Sequence, residues 1–140
     1  MLIQLIYTST AHRDLSHEEL IEILESSVRN NQQRNITGLL LYNKGTFLQM
    51  LEGAASHVDE IFERIKRDSR HRNIEALLRT STRKREFSNW HMGFRAMRKS
   101  DAAALPNYAP FFEDGFDSTL LTASPQESLS IMKAIAGLPD

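Results

Sequence analysis

The chain has 140 residues, enough for one domain, and its 41% hydrophobic and 25% charged residues make an ordinary globular composition. A formal charge of -1 supplies no global attraction to nucleic acid or acidic membrane, and the absence of cysteine excludes disulfides, thiolate metal sites and a cysteinyl cofactor adduct. The apolar start Met1 to Ile6 is too short and too polar for a signal segment and no long apolar run follows, so a cytoplasmic protein is expected.

Leu2 to Ser9 reads as a first strand, with Ile3, Leu5, Tyr7 and Ser9 on one face and Leu2, Gln4, Ile6 and Thr8 on the other. Ser16-His17-Glu18-Glu19 matches a capping box and opens a helix that runs to about Asn31. Leu20, Ile23, Leu24, Ser27, Val28 and Asn31 fall on one side of it. The residues alone leave Asn31 between two roles, a helix-end residue bonding spare carbonyls and a ligand contact. Ile36 to Tyr42 and Thr46 to Glu52 then form a hairpin around Asn43-Lys44-Gly45. On its second strand Phe47, Gln49 and Leu51 share one face, and Leu48, Met50 and Glu52 share the other. If the first set faces the core, the Gln49 amide sits in an apolar wall. Burying it unpaired costs roughly 1–3 kcal/mol, so it is expected to have partners.

A second helix is expected from about Ser56, with Ser56 as its cap and Asp59-Glu60 in its first turn. Val58, Ile61, Phe62 and Ile65 form its apolar stripe, bordered by Arg64 and Asp68. That i, i+4 pair is either a surface ion pair or two groups aimed at a polar ligand edge. The basic run through Arg64, Lys66, Arg67, Arg70 and Arg72 reads first as a solvated helix end, next as a site for the phosphate of a bound cofactor, and last as a nucleic-acid contact. Asn73 to Thr82 is a fourth strand, Arg83 to Glu86 a charged loop, and Met92 to Ala96 a fifth strand just after Trp90. Beyond Lys99 a short helix at Ser100 to Leu105 is expected, broken by Pro106 and Pro110, with 113–123 as loop. Ser124-Pro125-Gln126-Glu127 matches a second capping box. It opens a last helix with Leu129, Met132 and Ile135 on one side and Gly137 as its stop.

The order strand–helix–strand–strand–helix–strand predicts an α+β, ferredoxin-like βαββαβ fold with a fifth strand, two helices on one sheet face, and a C-terminal helical extension. Residues 1–97 are read as the domain and 98–140 as the extension, packing on the sheet or on a partner. In this plan the first and third strands are central neighbours, so Tyr7 and Gln49 lie side by side facing the helices. No Gly-rich phosphate loop and no cysteine nucleophile appears, and the five histidines, at 12, 17, 57, 71 and 91, show no ligand spacing. Neither an enzyme nor a metal site is expected. What remains is Tyr7, Asn31 and Gln49, with Arg64, Asp68, Trp90 and Met92. That set suits a flat heteroaromatic ring: amides match ring carbonyls and N–H groups, and apolar side chains sandwich its faces.

Tyr7-Thr8-Ser9 with Ala11, Asn31 with Ile36-Thr37-Gly38, and Phe47-Leu48-Gln49-Met50-Leu51-Glu52-Gly53 together resemble the BLUF domain, a flavin-binding sensor of blue light. Arg64, Asp68, Arg70-His71 and Trp90-His91-Met92-Gly93-Phe94 continue the likeness, which covers residues 1 to about 97. The resemblance implies noncovalent FAD, with FMN as the alternative, and a photoactive pair of Tyr7 and Gln49. Asn31 would contact the flavin, Arg64 and Asp68 would meet the pyrimidine side of its ring, and Asn30 and His71 are further candidates. Trp90 and Met92 would relay the signal to the last strand. The short remainder implies a sensor without a fused enzyme, acting on a separate protein effector. A homo-oligomer stays open, and neither a membrane nor direct nucleic-acid binding is implied. Two rivals use the same fold. One is a light-independent small-ligand-binding regulatory module. The other is an acyl-phosphate hydrolase, for which Arg13 without a Gly-rich turn is poor equipment.

Overall fold

Near-continuous buried runs build the first three strands, and 3.6-residue periodicity builds the two long helices, in the order β1 (Leu2–Ala11), α1 (His17–Gln33), β2 (Thr37–Asn43), β3 (Thr46–Ala54), α2 (Ala55–Arg67), β4 (His71–Thr82) and β5 (Gly93–Ala96). This is a computed structural model that describes residues 1–11, 13 and 15–138. One of the five histidines, His12, and the last two residues of the C-terminal extension lie outside the described residues. The described strands form one sheet in the order β4-β1-β3-β2-β5, antiparallel throughout except for the parallel pair β2–β5. That is the ferredoxin-like arrangement with a fifth strand added beside β2. The β2–β3 turn has Lys44 at φ 46° and Gly45 at φ 83°, the two positive values that a two-residue hairpin of the favoured twist requires.

Each face of the sheet carries its own core. On one face Ile3, Leu5, Leu40, Phe47 and Leu51 pack under α1 and α2 through Leu20, Ile23, Val58 and Ile61. On the other, Ile6, Leu39, Leu41, Leu48 and Met50 meet Phe112, Phe116, Leu121, Ile131, Met132 and Ile135. Those last residues come from α4 (Ala109–Phe112), α5 (Ser118–Ala123), α6 (Pro125–Ala136) and the link between the first two; α3 (Lys99–Ala104) and a 3-10 turn at Pro106–Tyr108 lead into them. The sheet thus has no bare apolar face, which a two-helix sandwich alone would leave.

Several local expectations are corrected. Ser56 does not cap α2, because β3 runs to Ala54 and the helix starts immediately at Ala55 without a side-chain cap; Asp59 and Glu60 accordingly lie beyond the first turn. Residues 113–123 are not all loop: Asp117 accepts a hydrogen bond from the Leu120 N–H at 3.0 Å and caps α5. Pro110 does not break a helix but sits in the first turn of α4, where its missing N–H costs nothing. The second capping box is not formed. Ser124 also ends α5, so its backbone is shared between two helices, and its carbonyl rather than its hydroxyl receives the Glu127 N–H at 3.0 Å.

Candidate functional site

Tyr7 and Gln49 are direct cross-strand partners on β1 and β3. Both are buried on the α1/α2 face, and the Tyr7 hydroxyl donates to Gln49 Oε1. The amide is then held at its other end, where Gln49 Nε2 donates to the Met92 sulfur at 3.3 Å. Strand alternation therefore places in the wall an amide whose orientation is set by two different partners. Burial raises the Tyr7 pKa far above its ordinary value, and the negative charge of Asp68 raises it further. The phenol is neutral at any physiological pH. The Tyr7 ring also lies 5.3 Å from that of Phe62 on α2.

Asn31 reaches the same wall from α1. It is 1% exposed, and its Nδ2 donates at 2.7 Å to the carbonyl of His91, sixty positions away, rather than to a helix-end carbonyl. His91 in turn places its Nδ1 3.1 Å from the Ile36 carbonyl. The segment before β5 is thus pinned to α1, β2 and β3 at once.

Between α1 and α2, over the centre of the sheet, lies a cleft. Tyr7, Leu40 and Gln49 form its floor, Ile23, Ser26, Ser27, Asn30 and Asn31 line it from α1, and Ile61, Arg64 and Ile65 from α2. Asp68, Arg70 and His71 close one end. All seven residues singled out for cofactor contact, Tyr7, Asn30, Asn31, Gln49, Arg64, Asp68 and His71, border this one cleft. Arg64 and Asp68 are not paired with each other, however. Arg64 lies 3.9 Å from Glu60, and Asp68 takes Arg70 at 2.6 Å, because α2 ends at Arg67 and turns Asp68 toward the next segment. Burial pushes the Asp68 carboxyl up, but hydrogen bonds from the Arg70 side chain and backbone outweigh it and hold it low, so it stays ionised. Burial lowers the His71 pKa against the opposing pull of Asp68, and its Nδ1 lies 2.9 Å from Ser9 Oγ.

The two relay candidates behave differently. Met92 is 6% exposed and touches Gln49, whereas Trp90 is 41% exposed, away from the cleft. The indole stacks on Phe87 with centroids 5.6 Å apart and planes within 9°. It lies against Gly93, where a Cβ would come within 2.6 Å of the ring. The contacts of His91, Ser9 and Phe62 were not anticipated. A carbonyl acceptor carries no signature in its side chain, and Phe62 reads as plain core stripe.

The donor set fits a flavin ring. Three amides and a phenol offer donors and acceptors in one cleft, with Ile23, Leu40, Ile61 and Ile65 supplying apolar faces. Among the described residues, no group of three or more His, Cys, Asp or Glu could hold a metal ion, and no helix is long and apolar enough to cross a membrane.

A family model described as sensors of blue-light using FAD matches residues 2–93. The chain is 40% identical over 78 residues to the blue light- and temperature-regulated antirepressor BluF of Escherichia coli (strain K12), covering 56% of this chain and 19% of that protein. It is 36% identical over 90 residues to the photoactivated adenylate cyclase subunit beta of Euglena gracilis, covering 64% of this chain and 10% of that one. The chain therefore spans a fifth or less of these two relatives. Solved structures match over nearly their whole length: the photo-activated state of BlsA at 27% identity and TM-score 0.83, covering 100% of this chain and 98% of that one. The dark state of BlrB, a BLUF protein, matches at 29% identity and TM-score 0.77, covering 98% and 97%.

Proposed function

Because the chain belongs to the BLUF family of blue-light sensors using FAD, we propose that flavin lies noncovalently in the α1/α2 cleft and that Tyr7 and Gln49 operate the switch. Asn31 and Asn30 would hold polar ring edges from α1, Arg64, Asp68 and His71 the opposite end, and the aliphatic side chains of the two helices the ring faces. The observation that carries this reading is the chain of contacts Tyr7–Gln49–Met92, which starts in the floor of that cleft and leads out of it toward β5. FAD is the cofactor of the family description, and FMN fits the same ring contacts.

Bound flavin supplies an oxidant when excited by blue light, and a ring carbonyl that accepts hydrogen bonds. The chain supplies the rest. Tyr7 is held neutral by burial, so loss of an electron from its ring is coupled to loss of the proton at its hydroxyl. Gln49 Oε1 is the acceptor already bonded to that proton. Rotation or tautomerisation of the Gln49 amide exchanges donor and acceptor, and the electron and proton return to Tyr7. The lasting change is a new hydrogen-bond pattern rather than a covalent bond. A donor newly aimed at the ring carbonyl lowers its transition energy and shifts absorption to the red.

If the amide rotates, Gln49 no longer offers its N–H to Met92, and the segment through Trp90 into β5 feels the difference. Such a local change biases a packing equilibrium and needs no large motion. The chain itself is a sensor rather than a catalyst, and its output goes to a separate protein effector in the cytoplasm. The match to BlsA and BlrB over nearly the whole of both structures supports a light-sensing role for this fold. The test is direct. Precipitating yellow holoprotein should release the colour into the supernatant, and blue light should red-shift its spectrum reversibly in the dark. A protein that stays colourless after flavin reconstitution would favour the light-independent ligand-binding module instead.

A further inference from the structure

Glu52 is a buried carboxylate that the switch as described does not use. It points to the opposite face of β3 from Gln49 and is 0% exposed. Its register partners on both sides are polar, Gln4 on β1 and Thr37 on β2. Four donors converge on it. Gln4 Nε2 at 3.1 Å and the Glu86 N–H at 2.6 Å meet Oε2, and Thr37 Oγ at 3.2 Å and the Phe87 N–H at 2.9 Å meet Oε1. Arg85 closes the cluster, its Nη1 donating to both the Glu52 carbonyl and Thr37 Oγ at 2.9 Å. A charge this deep is tolerated only when its lone pairs are matched, and here both oxygens are.

Two of those donors are backbone N–H groups of the segment that leads from β4 to β5. From Phe87 the segment crosses to the other face: the Trp90 N–H donates to the Phe87 carbonyl at 3.1 Å and the Gly38 N–H to the Trp90 carbonyl at 3.0 Å. His91 then accepts from Asn31, and Met92 from Gln49. One strand, β3, therefore grips this segment twice, by Glu52 at its start and by Gln49 at its end.

Resting on the reading of Gln49 as the switch, we propose that Glu52 is its positioning residue. By fixing the Glu86–Phe87 backbone, it holds Met92 where only the dark orientation of the amide is matched. In that orientation Nε2 faces the sulfur as a donor. Once the N–H turns away, the held sulfur faces no donor, and the mismatch drives thermal return. A loosened segment relieves the mismatch and prolongs the signalling state.

The experiment compares dark-recovery rates of flavin-loaded wild type, Glu52→Gln, Gln4→Leu and Gln49→Leu after a blue flash. Glu52→Gln keeps the shape but offers an N–H₂ to one of the two backbone donors, which then lacks its acceptor. Flavin should remain bound, the red shift should form, and recovery should slow by roughly three- to tenfold, the factor one hydrogen bond supplies. Gln4→Leu removes a Glu52 partner on the sheet side and spares both segment N–H groups, so its recovery should stay at the wild-type rate. Equal recovery in Glu52→Gln and wild type, or equal slowing in Glu52→Gln and Gln4→Leu, would overturn the proposal. A red shift that survives in Gln49→Leu would instead defeat the underlying switch. Should Glu52→Gln fail to fold, amide exchange in wild type decides. The Glu86 and Phe87 amides should be protected in the dark and under illumination alike, because the anchor holds in both states, and free-loop exchange rates in either would refute it.

Discussion

The neighbours of Gln49 differ in kind, which is what the proposed switch requires. Its carbonyl oxygen meets a hydroxyl donor from Tyr7 and its amide nitrogen a soft sulfur from Met92, so turning it over exchanges a strong match for a poor one. The sequence alone showed an amide in an apolar strand face with Tyr7 beside it, because period-2 alternation and strand order suffice for that. It did not show Met92 as the other partner, since a methionine reads as packing. Nor did it show Glu52 as an anchor, although a carboxylate alternating with Leu48 and Met50 was the available sign. Asn31 connects cleft and output segment through the His91 carbonyl. Asn31→Ala should therefore weaken flavin retention by on the order of 1 kcal/mol, about fivefold in dissociation constant, and speed exchange of nearby amides. Unchanged affinity in a folded variant would confine Asn31 to pinning His91.

At the scale of elements, β5 lies between the proposed switch and the C-terminal cap. It is short, pairs only with β2 among the described strands, and carries Arg95. Arg95 donates through Nη2 to Asp101 of α3 at 2.8 Å and through Nη1 to the Leu138 carbonyl after α6 at 3.3 Å. The Arg95 guanidinium, helped by the Arg98 backbone against the cost of burial, holds Asp101 down to about 2. A depressed carboxyl stabilises the fold above its unfolded value and loses that contribution as pH falls through the folded one. The stability difference between wild type and Asp101→Asn should thus be constant above 3.8 and vanish as pH approaches about 2; denaturant midpoints across that range check it. A difference that grows on acidification would contradict the assignment. Gly93→Ala addresses the same strand, because the added methyl would strike the Trp90 ring at 2.6 Å. Trp90, the chain's single tryptophan, should leave its stack on Phe87, with a changed emission maximum. The long elements were legible from periodicity. The short ones were not: α5 has six residues, too few for a period, and no pattern in the sequence shows that Ser124 ends one helix and begins the next.

Among the described residues, the sheet is clamped between the α1/α2 layer and a C-terminal layer. Element order alone predicted the first layer, whereas the second needed the apolar residues of β1 and β3 to demand a cover. Leu121, Ile131, Met132 and Ile135 are each fully buried there. At about 1.5–3 kcal/mol apiece their loss rivals the stability of an entire domain. Truncation after Asp117 should lower the melting temperature sharply or cause association, read by thermal melts and size-exclusion chromatography. An equally stable monomer would show the cap to be dispensable and free to engage a partner. The central claim, that light is read by a Tyr7–Gln49 hydrogen-bond switch, rests on one measurement: the light-minus-dark absorption difference of wild type, Gln49→Leu and Tyr7→Phe holoproteins. Gln49→Leu keeps approximate volume but has no amide to turn, and Tyr7→Phe keeps the ring but has no proton to release. Both should bind flavin and give no lasting red shift, while wild type gives one that decays in the dark. A full wild-type red shift in both variants would contradict the account.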